Sequence, residues 1–143
     1  MNFVPRFVIL RHDPAPGGAR PLHWDLMLEH ADLLRTWALV GQPTAGVTIS
    51  AERLADHRKL YLDYEGPVSG DRGTVARWDW GEFRWVTQSR DQVVVQLSGQ
   101  QLNGTMRLEL CPPEVSDQMA PDPYRGSDQR WSVFFSPDVN GAC

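Results

Sequence analysis

The stretch Leu22-His23-Trp24-Asp25-Leu26-Met27-Leu28-Glu29 constrains this chain more than any other. Side chains on an extended strand alternate between faces with period two. Leu22, Trp24, Leu26 and Leu28 then share one apolar side, and His23, Asp25 and Met27 share the other. The pattern predicts a strand with one face in the core and a second face carrying an imidazole beside a carboxylate. His12, a short way upstream, brings a second imidazole, and the three residues are the parts of a divalent-metal site.

The rest of the chain reads as mainly β. Strands are expected over 7–10, 22–29, 33–39, 73–78, 83–87, 92–97, 105–110 and 130–135, from short apolar or β-branched runs bounded by turn residues. Pro14-Ala15-Pro16-Gly17-Gly18-Ala19 interrupts regular structure, and Asp79-Trp80-Gly81-Glu82 reads as a hairpin loop. Ser50 is positioned to cap a single helical turn running to Leu54. The expected fold is all-β, a small closed or partly open barrel of about eight strands with one short helix. The 143 residues suit one domain, 1–143, with a surface loop over 112–129 and a frayed tail over 138–143.

Charge narrows the function. The net charge is -4, with one lysine, Lys59, and thirteen arginines. Proteins that grip many phosphates are usually basic, so an extended nucleic-acid groove is disfavoured. Recognition of a single phosphate at a nucleic-acid end is not, because arginine pairs phosphate as a fork. No apolar run reaches membrane-spanning length, and the first residues lack a secretory pattern. Cys111 and Cys143 make a poor disulfide framework, so a reducing, cytoplasmic setting is expected.

Other candidates carry ordinary readings beside functional ones. His57 and His30, taken alone, read as surface histidines. Trp24 and Trp37 fall on apolar faces and read as core, whereas Trp78, Trp80 and Trp85 gather near one hairpin, where exposed rings would suit carbohydrate. His23, Asp25 and a distant His57 mimic the two-His-one-carboxylate set of Fe(II) oxygenases. Only 34 positions, His23 to His57, are then available to bring the distal ligand round.

Several segments, in order, resemble the 3′-phosphoesterase domain of bacterial ligase D, the end-joining DNA ligase. That family runs apolar strand, His-Asp, loop, then Leu-His-Tyr-Asp-x-Arg-Leu-Glu. Here the counterparts are Phe7 to Asp13 and Leu22 to Glu29. Leu34-Arg35-Thr36-Trp37-Ala38-Leu39, His57 with Asp63-Tyr64-Glu65-Gly66, and Gly73-Thr74-Val75 followed by Trp78-Asp79 are similar to later family segments. Leu102-Asn103-Gly104 and Arg130-Trp131 fit its closing strands more weakly, and the likeness spans about 7–135.

The resemblance implies a manganese-binding β-barrel that trims DNA 3′ ends, removing a terminal ribonucleoside and then the 3′-phosphate. By position, His12, His23 and Asp25 would hold the metal, His57 would contact the scissile phosphate across the barrel mouth, and Tyr61 would line the pocket. The partners implied are DNA 3′ ends or another phosphorylated ligand, with a ligase or polymerase as a separate chain. Where the family has an arginine two residues after the metal-binding Asp, this chain has Met27. Arg20, Arg53, Arg58 and Arg72 are the cations available to stand in, and Arg20 and Arg53, beside His57, form the expected phosphate-binding set. Two readings follow: a metal-dependent 3′-phosphoesterase, or a weak or inactive metal- and phosphate-binding module of the same fold.

Overall fold

The computed structural model describes residues 3–18, 20–112 and 130–138. Among these residues nine strands occur in chain order: β1 Arg6–Asp13, β2 His23–His30, β3 Leu33–Leu39, β4 Ile49–Arg58, β5 Gly66–Pro67, β6 Thr74–Gln88, β7 Gln92–Gly99, β8 Asn103–Leu110 and β9 Arg130–Pro137. One 3-10 turn, Lys59–Leu62, follows β4. Hydrogen bonding runs β1-β2-β3-β4-β9-β8-β7-β6, and β6 returns to β1. Eight antiparallel strands thus close a barrel, which removes both sheet edges. The two-residue β5 pairs only with the start of β6.

The inward side of β2 is the apolar one. Trp24, Leu26 and Leu28 join Phe7 and Ile9 of β1, Trp37 and Leu39 of β3, and Trp131 and Val133 of β9 in the main core. Each fully buried Leu, Ile or Phe contributes about 1.5–3 kcal/mol, so this interior dominates stability. Trp37 and Trp131 meet edge to face at 5.6 Å. Trp24 and Trp37 are core residues, as their strand faces predict.

A second, smaller cluster lies outside the barrel wall. Val8 and Leu10 of β1, Met27 of β2, Leu34 of β3 and Val75 of β6 turn outward and are covered by Leu62, Tyr61, Tyr64 and Val68. The connection from β4 to β6 is folded over this wall and pinned by polar ties. Asp63 pairs with Arg6 at 2.7 Å and lies 3.8 Å from Arg77. Glu65 accepts from the Arg77 amide, and the Tyr64 hydroxyl donates to the Pro67 carbonyl. The Asp63-Tyr64-Glu65-Gly66 motif is therefore a clasp, and it sets where Tyr61 sits.

Two local expectations are corrected. Ser50 caps no helix: Ile49 to Glu52 pair with β9, and Ile49 and Ala51 enter the core. Tertiary pairing overrides the local capping signal, and the single helical turn falls at 59–62 instead. Asp79 to Glu82 is no hairpin loop either, because β6 runs unbroken from Thr74 to Gln88. A register shift between Ile9↔Asp79 and Leu10↔Arg77 leaves Trp78 as the extra residue, so the strand bends rather than turns. The count of eight barrel strands survives because one strand, β4, is gained while two expected strands fuse. All but residue 112 of the expected 112–129 loop, and all but Asp138 of the expected tail, lie outside the described residues.

Candidate metal centre

His12 and His23 are register partners at the ends of β1 and β2, and Asp25 stands two residues along β2 on the same outward face. One ligand atom from each lies within 4.8 Å of the others. Among the described residues this is the only such group of three or more His, Cys, Asp or Glu side chains. His12 is partly buried, whereas His23 and Asp25 are buried.

The hydrogen bonds behind the histidines decide what this cluster can hold. His12 Nε2 lies 2.6 Å from the Arg72 carbonyl, and His23 Nδ1 lies 2.9 Å from the Pro21 carbonyl. A carbonyl only accepts, so each of those nitrogens carries the proton. In the neutral rings the remaining nitrogens present lone pairs. Those nitrogens face Asp25, His12 Nδ1 at 3.2 Å from Oδ2 and His23 Nε2 at 3.1 Å from Oδ1. Lone pairs set against a buried carboxylate require positive charge between them. A proton can supply it, and so can a divalent ion.

The metal-ligand reading fits three further observations. Metal-binding histidines typically spend the second N–H on a carbonyl or carboxylate, as both do here. Separations near 3.1 Å suit ligands at about a right angle around an ion with bonds of about 2.0–2.2 Å. Asp25 Oδ1 is buried and, despite its nearness to His23, lacks hydrogen-bond geometry to any partner. The ring of His12 is pushed above its ordinary pKa, first by the hydrogen bond to Asp25, against an opposing effect of burial. Burial acts to raise the Asp25 carboxyl, but the adjoining imidazoles of His12 and His23 together hold it below its ordinary value.

A pocket of about 120 Å³ opens over His12 and Asp25. At roughly 30 Å³ per water it has the volume of a few waters. His57, Tyr61 and Arg72 form its other walls, and Leu10, Met27, Val68 and Val75 supply apolar lining. The site thus lies on the outside of the barrel wall and not at its mouth, because the polar face of β2 points away from the core.

His57 reaches this pocket through a β-bulge. Leu34 pairs with His57 but Thr36 pairs with Leu54, so β4 carries one extra residue between them. Without it, His57 would share the inward face of Arg53. The bulge turns His57 outward, a common use of bulges beside functional sites. Its Nδ1 is held 2.8 Å from the Ala55 carbonyl, and its ring meets the Tyr61 ring at 5.7 Å.

The structure therefore brings together five of the expected site residues: His12, His23, Asp25, His57 and Tyr61. It places Arg20 and Arg53 elsewhere. Arg20 pairs with Glu52 at 2.9 Å. Arg53 faces the barrel interior, stacks 4.7 Å from the Trp37 ring and pairs with Asp56. Neither lines the pocket. Arg72 does, and β1-to-turn proximity, invisible in local sequence, is what puts it there. His30 sits against Trp85 on the surface. Trp78, Trp80 and Trp85 are half-buried, the first and last against the main core and Trp80 in the outer cluster.

A small antiparallel barrel with a His-His-Asp triad on its outer wall defines a candidate metal-dependent site beside an anion-sized pocket. The sequence model of the DNA Ligase D 3'-phosphoesterase domain matches residues 16–109, well over half of the chain. The chain belongs to that family. The matched span includes His23, Asp25, His57, Tyr61 and Arg72 but begins after His12, so His12 joins the triad on geometry. No curated protein matches the chain. Among the described residues, no helix is long and apolar enough to cross a membrane.

Proposed function

We propose that this protein is a manganese-dependent phosphoesterase acting on DNA 3′ ends, removing a 3′-phosphate or a 3′-ribonucleotide during end repair. The observation that carries the reading is the convergence of two carbonyl-anchored imidazoles on a buried carboxylate, at a pocket walled by a third imidazole and a tyrosine. His12 Nδ1, His23 Nε2 and an Asp25 oxygen would hold the ion. Once bound, such an ion polarises phosphoryl oxygens and lowers the pKa of water.

The chain's own groups do the rest. His57 has Nδ1–H committed to Ala55, which leaves Nε2 as the atom that gives or takes a proton at the phosphate or the leaving oxygen. Tyr61 braces His57 and lines the pocket. Purified protein with manganese should release phosphate from duplex DNA carrying a 3′-phosphate, and His57→Ala should abolish release while keeping ion affinity. Loss of ion affinity in His57→Ala would overturn the assigned role.

Met27 favours the second reading, a weak or inactive binding module. It is almost fully buried in the outer apolar cluster, lines the pocket, and offers a phosphate neither charge nor donors. Met27→Arg should raise activity on a 3′-phosphate end about ten- to a hundredfold if a missing clamp limits turnover and the variant stays folded. Absence of metal-dependent activity in both proteins on every 3′ end would establish the module.

A further inference from the structure

We infer that Arg72 is the anion-holding residue of this pocket, and that it also positions the metal ligand His12. The inference rests on the phosphate-pocket reading above and names the group that recognises the phosphate. Arg72 lies in the turn between β5 and β6, and it is the only cationic lysine or arginine among the residues lining the pocket. Its carbonyl accepts from His12 Nε2 across 60 positions of sequence.

Its side chain is poised rather than neutralised. Nε donates to the Ser69 carbonyl at 2.7 Å, and one terminal nitrogen lies 3.3 Å from the Ser69 hydroxyl. Those bonds use two of the five guanidinium donors. Both partners are uncharged, whereas Arg6, Arg11, Arg20, Arg53 and Arg77 each face a carboxylate. Val68, at the start of the same turn, lines both this pocket and a wider groove of about 530 Å³ beside it. That groove is walled by Pro14, Pro16, Pro67 and glycine backbone, with Asp71 as its one charged residue. A phosphate at the triad with its organic part in the groove would therefore pass Arg72.

Gly73 makes this placement possible. Its φ is +85°, and an added Cβ would stand 2.0 Å from the Asp13 carbonyl oxygen. Only a glycine lets the turn approach β1 closely enough for the Arg72 carbonyl to reach His12.

The test uses the full chain, manganese, and inorganic phosphate as the probe, with both affinities measured by calorimetry for the parent, Arg72→Met, Arg72→Lys and Arg107→Met. Arg107 is exposed on β8 and controls for net charge. Arg72→Met should keep manganese affinity, since the carbonyl remains, and lose phosphate affinity about ten- to a hundredfold. Arg72→Lys should recover part of that loss, and Arg107→Met should match the parent. Undiminished phosphate binding in Arg72→Met overturns this inference alone. A parallel loss of manganese affinity in Arg72→Met overturns it too, because the side chain would then serve the turn and not the anion. A parent that binds manganese but no phosphate overturns both this inference and the phosphoesterase reading.

Discussion

Two aspartates, Asp25 and Asp79, are buried among the described residues, and their surroundings could hardly differ more. Asp79 accepts four backbone N–H groups. Oδ1 takes those of Trp80, Gln100 and Gln101 at 2.9, 2.7 and 3.1 Å, and Oδ2 takes that of Leu102 at 2.8 Å. It ties β6 to the β7–β8 turn. Asp25 meets no amide; it meets two imidazole nitrogens whose rings have already spent their protons on carbonyls. A carboxylate surrounded by N–H donors is complete and holds the fold together. One surrounded by lone pairs is complete only with a cation. The sequence marks the His-x-Asp at 23–25 as chemical and reads Asp79 as part of a hairpin loop, and only the donor sets show what each carboxylate does.

The sharpest way to break the comparison is to exchange the two losses. Asp25→Asn should reduce manganese affinity at least about a hundredfold, since even groups behind metal ligands are worth 10–100-fold, while the melting midpoint of the metal-free protein changes little. Calorimetry and thermal melting check both halves. Asp79→Ala should do the reverse. It strips four amides of their acceptor, so a loss of about 3 kcal/mol or more is expected in urea unfolding, with manganese affinity in the surviving folded protein near that of the parent. Equal effects of the two substitutions on ion binding would mean that Asp25 is also structural.

Gly73→Ala tests how the metal side depends on its outer support. The added Cβ must displace the Asp13 carbonyl or the turn itself, and the backbone conformation disfavours any side chain. A stability loss of about 1–3 kcal/mol and a 10–100-fold weaker manganese affinity are expected, read from unfolding and calorimetry on one preparation. Retained affinity would show that the Arg72 carbonyl is dispensable to His12.

The smallest effect belongs to an exposed carboxylate. The hydrogen bond from Arg6, aided by the charges of Arg6 and Arg77, holds the Asp63 carboxyl below its ordinary value against desolvation. A lowered folded pKa means the contribution is present above the unfolded value of 3.8 and is lost as pH falls through the lower folded one. Asp63 is 66% exposed, so solvent screening keeps the pair within about 1 kcal/mol. Asp63→Asn should cost no more than that at pH 7 and low salt, and nothing measurable at high salt or below the folded pKa.

Local sequence carried much of this molecule. The alternation in β2 identified its core face and its chemical face, because period two is a property of any extended chain. Most strand positions followed from apolar runs and turn residues. His12, His23 and Asp25 were readable as one group because adjacent strands bring them together, and the pocket roles of His57 and Tyr61 entered only through the family resemblance. What tertiary structure decided was register and long-range approach. The face of His57 depends on one extra residue in β4, and period two alone would have placed it beside Arg53. Whether Ser50 starts a helix or extends a strand depended on β9, some eighty residues later. Arg72, and not Arg20 or Arg53, stands at the pocket because Gly73 lets a distant turn close on β1. Alternation is written into each residue pair, whereas register and approach are set by partners far along the chain, and no local pattern encodes them.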